Sequence, residues 1–139
     1  MEIAGTDLSE RTFVIAEAGS NHNGNLETAK ELIDAAADAG ADAVKFQTFR
    51  AEDMYVRDTG EEEYFDNDKS IYETMEAMEM PYDWIPDLHD YCEDAGVVFM
   101  STPFDERSVD ELNEYVPAYK IASYTMSHHP FLRHVAGKD

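Results

Sequence analysis

A chain of 139 residues that is 43% hydrophobic and 12% aromatic can build one real core, which excludes disorder along its whole length. Its 31 acidic residues against 10 basic ones leave a formal net charge of -21, which argues against nucleic acid or an anionic membrane surface as a partner. The acids are spread along the chain, which favours a surface adapted to concentrated salt over a localised patch for cations or basic proteins.

The opening stretch MEIAGTDLSERTFVIAEAG has no basic leader and no long apolar run, so neither a signal peptide nor a membrane span is expected. FVIAE (13–17) reads as a first strand running into the polar cluster GSNHNGN. Asn25 is placed to cap a helix whose Leu26, Ala29, Ile33 and Ala36 share one face before Gly40 ends it. AVKFQ (43–47) is the next strand.

An acidic excursion over about 51–80 breaks the rhythm; SIYETMEAMEM within it reads as a short helix ending before Pro81. The pattern then returns: YDWIPDLHDYCEDAG is a helix closed by Gly96, and VVFMS (97–101) is a third strand. The lone Cys92 lies in this helix, so no internal disulfide is possible and a reducing cytoplasm is the expected compartment. SVDE at 108–111 reads as a capping box opening a short helix through Tyr115, and YKIAS (119–123) as a fourth strand. Strands separated by helices predict a parallel sheet, either doubly wound or closed into a barrel.

Polar side chains gather at the carboxyl ends of these strands, where parallel α/β folds bind ligands. They are Glu17 on the first strand, Lys45 and Gln47 on the second, Ser101 and Thr102 on the third, and Lys120 and Ser123 on the fourth. Two lysines with hydroxyls in so acidic a protein suit an anion such as a phosphate, and a carboxylate beside them suits proton transfer or cation stabilisation.

AEAGSNHNGN, VKFQTF, YETMEAMEMPYDW, STPFD and YKIASY, in that order and spacing, resemble the N-acetylneuraminate (sialic acid) synthase family over residues 11–136. The resemblance implies that residues 1–139 are the first half of a (β/α)8 TIM-type barrel, about four βα units. The C-terminal half and an antifreeze-like domain are expected to be absent from it. It implies condensation of phosphoenolpyruvate with N-acetylmannosamine or a related amino sugar, giving a sialic-acid-type nonulosonic acid and phosphate.

Carried over position by position, Lys45, Thr102, Lys120 and Ser123 match residues that hold the phosphoenolpyruvate carboxylate and phosphate, and Glu17 the carboxylate near the reacting carbons. Gln47 and Ser101 are assigned to the same pocket, and Asn21, His22 and Asn23 to the polar loop at its mouth. The family's divalent metal, manganese or magnesium, takes no ligand from this chain; the adjacent His128 and His129 read as surface or loop packing.

One position departs from the pattern: Thr125 stands where the family places a sugar-facing glutamate. Half a barrel also implies a homodimer or a second barrel half as partner. Two other readings stay open: a Schiff-base aldolase using Lys45 or Lys120, and a non-catalytic phosphoenolpyruvate-binding or split-subunit fragment.

Overall fold

A computed structural model describes residues 1–57 and 70–138, so residues 58–69 of the acidic excursion lie outside the described residues. The chain opens with a hairpin not anticipated from sequence, β1 (Glu2–Ile3) and β2 (Thr6–Asp7). Ala4 and Gly5 turn it at φ 47° and 76°, the positive pair that matches strand twist in a two-residue loop.

The main sheet has three parallel strands in the order β3 (Ile15–Gly19), β4 (Ala43–Thr48) and β5 (Val98–Pro103). Two helices supply the crossovers, α1 (Leu26–Asp38) between β3 and β4 and α4 (Trp84–Ala95) before β5. Asn25 caps α1, its side-chain oxygen accepting the Thr28 N–H at 3.1 Å. Gly96, at φ 76°, ends α4 in the left-handed conformation that a side chain rarely adopts.

One face of the sheet is covered by these helices. Ala29, Ile33 and Ala36 of α1 and Ile85, Leu88 and Cys92 of α4 meet Val44, Phe46 and Phe99 in one buried cluster. Burial pushes the Cys92 thiol up to about 12, so it packs as a small apolar group and is inert as a nucleophile.

Asp42 ties the amino ends of the three strands together. Its carboxylate accepts the Val14 N–H at 2.7 Å and an Arg11 guanidinium N–H at 2.6 Å. Its own N–H donates to Val14 O, and its carbonyl accepts the Val98 N–H, both at 2.9 Å. The Val14 N–H, then the Arg11 guanidinium, hold this carboxyl below its ordinary range.

The excursion carries two short helices, α2 (Ala51–Met54) and α3 (Ile71–Ala77), the latter with a true capping box between Ser70 and Glu73. Arg50 anchors its return: the guanidinium stacks 3.6 Å over the Tyr82 ring and donates to the Phe49 and Met80 carbonyls, each at 2.9 Å.

Two expectations are corrected. The helix after β5 is α5 (Glu106–Leu112), and its cap is Asp105 instead of Ser108. Asp105 accepts the Ser108 N–H at 2.7 Å and the Ser108 hydroxyl at 2.6 Å, so Ser108 is a ligand of the cap. The fourth strand expected over 119–123 does not form, and a three-stranded sheet stands in place of four βα strands.

Pro117 offers no N–H to a ladder, and the Tyr119 hydroxyl turns back to α5, donating toward Val109 O at 3.1 Å and Asn113 Oδ1 at 3.0 Å. Past it the chain coils into turns, with the Thr125 N–H on Ala122 O, before α6 (His129–Ala136). A strand at this edge would be held by β5 alone, from one side. Among the described residues no helix is long and apolar enough to cross a membrane.

The caps separate by mutation. Asp105→Ala should lower unfolding free energy by about 1 kcal/mol, whereas Glu111→Ala, the acid of the discarded capping box, should change it by less than about 0.5 kcal/mol. Urea midpoints at constant slope measure both; an equal loss would restore Ser108 as the cap.

Candidate functional site

Register decides which side chains meet. Ile15, Ala43 and Val98 stand level across the sheet, and so do Glu17, Lys45 and Met100. Strand alternation sends Val44, Phe46, Ser101 and Thr48 to the helix face and Glu17, Lys45, Gln47, Met100 and Thr102 to the other. On that second face the Lys45 ammonium lies 2.5 Å from Glu17 Oε2 and donates to Thr102 Oγ1 at 3.3 Å. Lys45 is buried, while the Glu17 side chain is 54% exposed. A lone buried ammonium would be costly; the carboxylate and hydroxyl make this one tolerable.

A bulge shapes the mouth of this cluster. The β3–β4 register shifts between Glu17 and Gly19, and Gly19 sits at φ 58°. A Cβ on Gly19 would lie 3.4 Å from Glu17 Oε1 and 3.7 Å from Gln47 Nε2, so the bulge lets backbone approach both polar groups. Glu17, Lys45, Gln47 and Thr102 therefore form one group at the carboxyl end of the sheet.

The other sequence-derived residues lie elsewhere. Ser101 faces the helices, its hydroxyl 2.7 Å from that of Thr48, both fully buried; its odd-even position on β5 put it opposite Thr102 from the start. Lys120 is exposed and donates to the neighbouring Ile121 carbonyl at 2.7 Å, and Ser123 is exposed in the turn that replaces the fourth strand. Asn21 and Asn23 are exposed on the loop after β3, Asn23 at φ 50°.

His22, on the same loop, is instead wholly buried behind the mouth, its ring edge-on to Trp84 at 5.6 Å and near Phe46. Its Nδ1 accepts the Gly24 N–H at 3.1 Å, which leaves the proton on Nε2; that atom and the Ser20 hydroxyl are buried without a protein partner. Burial lowers the His22 pKa. Sequence reading passed over Ser20 and over an aromatic rim, Phe49 edge-on to Phe104 at 5.8 Å and Phe104 stacked on Tyr124 at 5.6 Å. Each strand exit closes on a phenylalanine, Gln47-Thr48-Phe49 after β4 and Thr102-Pro103-Phe104 after β5, and that repeat carried the signal for the first two rings.

The donors around Lys45 do not fit a divalent cation. The carboxylate there is engaged by an ammonium, and His22 is turned into the core. His128 lies against the Phe131 ring and His129 begins α6, so neither converges on the cluster. His89, Asp90 and Glu93 bring ligand atoms within 4.8 Å of one another on α4, but beside Val97 and Val98 at the amino end of β5, away from Lys45.

Residues 32–139 match the NeuB family. The spore coat polysaccharide biosynthesis protein SpsE of Bacillus subtilis is 52% identical over 126 residues, covering 89% of this chain and 34% of that protein. Its crystal structure superposes with a TM-score of 0.68. The N,N'-diacetyllegionaminic acid synthase of Legionella pneumophila is 43% identical over 131 residues, or 91% of this chain and 37% of the synthase. The N-acetylneuraminic acid synthetase of Leptospira borgpetersenii, solved in complex with citrate, gives a TM-score of 0.78 at 31% identity, covering 98% of this chain and 44% of that one. The chain spans between a third and a half of the length of these relatives.

His22 generates a pH dependence whose sign is fixed. The folded state keeps the imidazole neutral, while the unfolded chain takes up a proton as pH falls through about 6.5, so the unfolded state binds more protons and stability drops below that pH. The slope contributed is at most about 1.4 kcal/mol per pH unit, the limit for one proton. Urea midpoints from pH 7.5 to 5 should fall more steeply for the native sequence than for His22→Asn; parallel curves would show that His22 takes no part.

Proposed function

The chain belongs to the NeuB family, and from that premise we propose that it supplies the phosphoenolpyruvate side of a synthase site. The reaction is condensation of phosphoenolpyruvate with N-acetylmannosamine or a related amino sugar, giving a nonulosonic acid and phosphate. The relatives named above as synthases make acids of this class. The observation that carries the reading is the buried Lys45 ammonium, held between Glu17 and Thr102 at the carboxyl end of a parallel sheet.

The roles follow from that geometry. Lys45 supplies fixed positive charge, and Thr102 a hydroxyl donor, for the carboxylate or phosphate of phosphoenolpyruvate. Binding of that anion gives Lys45 a second negative partner and leaves Glu17 free to face the reacting carbons. The methylene carbon of phosphoenolpyruvate then forms a bond to the open-chain sugar aldehyde, whose oxygen takes a proton. Positive charge develops on the adjacent phosphate-bearing carbon, where Glu17 stabilises it; water adds there and loses a proton, and the new hydroxyl gives up its own proton as the C–O bond to phosphate breaks and the ketone forms.

Gln47 lies beside Glu17 and is assigned to the same pocket, with Asn21 and Asn23 on the loop above. Lys120 and Ser123 join only if 119–123 becomes the fourth strand of a barrel that a second half completes. Manganese or magnesium finds no ligand set among the residues around Lys45, and no step is assigned to it.

A Schiff-base aldolase would need Lys45 or Lys120 as a free nucleophile, and the pairing of Lys45 with Glu17 favours the charge-holding role. Phosphate release from phosphoenolpyruvate plus N-acetylmannosamine, assayed from low salt to molar potassium chloride in the complete gene product, tests the synthase. Lys45→Met should cut kcat/KM by about 100-fold or more, the scale for losing one fixed charge or donor to a reacting anion. Undiminished turnover in that variant, or borohydride trapping of pyruvate on either lysine, would overturn the assignment.

A further inference from the structure

The last turns of α4 carry a group of metal-ligating side chains at the opposite end of the sheet from Lys45. His89, Asp90 and Glu93 occupy positions i, i+1 and i+4 of the helix, within an arc of about 100° on one side of it. Each offers one ligand atom, and the three atoms lie within 4.8 Å of one another. His89 Nδ1 and Asp90 Oδ1 are already 3.3 Å apart. Ligands at about 2.0–2.1 Å from one tetrahedral ion stand about 3.4 Å from each other, so the set closes with small movements of two exposed carboxylate side chains.

The imidazole is held ready by packing. Its ring meets those of Tyr115 at 5.5 Å and Phe99 at 6.5 Å, both edge-on. The Tyr115 N–H donates to Leu112 O at 2.9 Å, so this ring is tied to the exit of α5 and does not depend on the path of residues 119–123.

Negative charge at this place is uncompensated. His89 and Glu93 line a cavity of about 360 Å³ together with Glu114, Tyr115, Val97 and Val98. Among the described residues no lysine or arginine forms an ion pair with Asp90, Glu93 or Glu114. The last turn of α4 has no basic residue either, so the negative end of the helix dipole faces Glu93 and Asp94. A cation bound here relieves both.

We propose that His89, Asp90 and Glu93 form a binding site for a divalent cation of the zinc class, which braces the end of α4. The inference does not rest on the synthase reading, and no step of the condensation passes through this ion. An imidazole nitrogen in the set selects zinc, cobalt or nickel over magnesium and calcium, which prefer oxygen ligands throughout. The neutral ring coordinates through Nδ1 and carries its proton on Nε2.

The experiment titrates zinc calorimetrically into the metal-stripped complete gene product and into its His89→Gln, Glu93→Gln and Asp87→Asn variants. Because the comparison is between variants, metal bound elsewhere in the gene product cancels. His89→Gln and Glu93→Gln should each lose one bound zinc ion or weaken it by at least about tenfold, the scale on which even a residue that supports a ligand acts. Glu93 is exposed, so its variant still reads out the site if the histidine variant fails to fold. Asp87→Asn removes the same charge from α4 outside the cluster and should match the native protein within about twofold.

Zinc should also raise the urea midpoint of the native protein more than that of Glu93→Gln, since an ion bound only by the folded state stabilises it. Zinc binding in Glu93→Gln equal to that of the native protein overturns the site, and so does an equal rise in the two midpoints. A loss in Asp87→Asn as large as in Glu93→Gln overturns it as well, because attraction to the acidic surface would then be the whole effect.

Discussion

Asp42 holds the register on which everything else in this fold depends. One carboxylate with the N–H and C=O of the same residue reaches three neighbours: the start of β3 through Val14, the N-terminal segment through Arg11, and the start of β5 through Val98. Because side chains alternate along a strand, a slip of one residue at this end would exchange the two faces of the sheet. Phe46 would then point away from α4, and Lys45 would enter the apolar layer among Leu88, Cys92 and Phe99. The site is thus positioned from the opposite end of the strands, by a residue that never approaches it.

The two faces treat polar groups differently. On the helix side Thr48 and Ser101 satisfy each other and need nothing further. On the other side Lys45 has a carboxylate and a hydroxyl, and Glu17 is half open to solvent, so the pair is held in place but not sealed from water. His22 belongs to neither arrangement. It fills space against Trp84 and Phe46 as an aromatic ring would, and fixes the loop after β3 through the Gly24 N–H.

Local chemistry made much of this legible. Asn25, Gly96 and the apolar spacing of α1 and α4 are signals contained in a few consecutive residues, and the elements they announce are present. Lys45 and Thr102 could be matched because each lies on a strand whose alternation is visible in the sequence. The failures have a common cause in contacts between distant residues.

Whether 119–123 is a strand depends on what flanks it, because an edge position beside β5 offers half the hydrogen bonds of an interior one. The capping role of Asp105 competes with a motif match at Ser108 that is equally good on paper and was decided by geometry alone. Burial of His22 follows from where Trp84 sits, which no residue near His22 announces.

The parallel register also sets an order of assembly. Ile15 pairs with Ala43 across 28 residues, whereas Ala43 pairs with Val98 across 55, with the acidic excursion inside the longer loop. Closure entropy rises by about 0.6 kcal/mol per doubling of loop length, and like charges in the longer loop resist compaction further. The β3–α1–β4 unit is therefore the natural nucleus, with β5 and α4 docking on it later. On that route Glu17 and Lys45 meet before Thr102 arrives, so their ion pair is also an early folding contact.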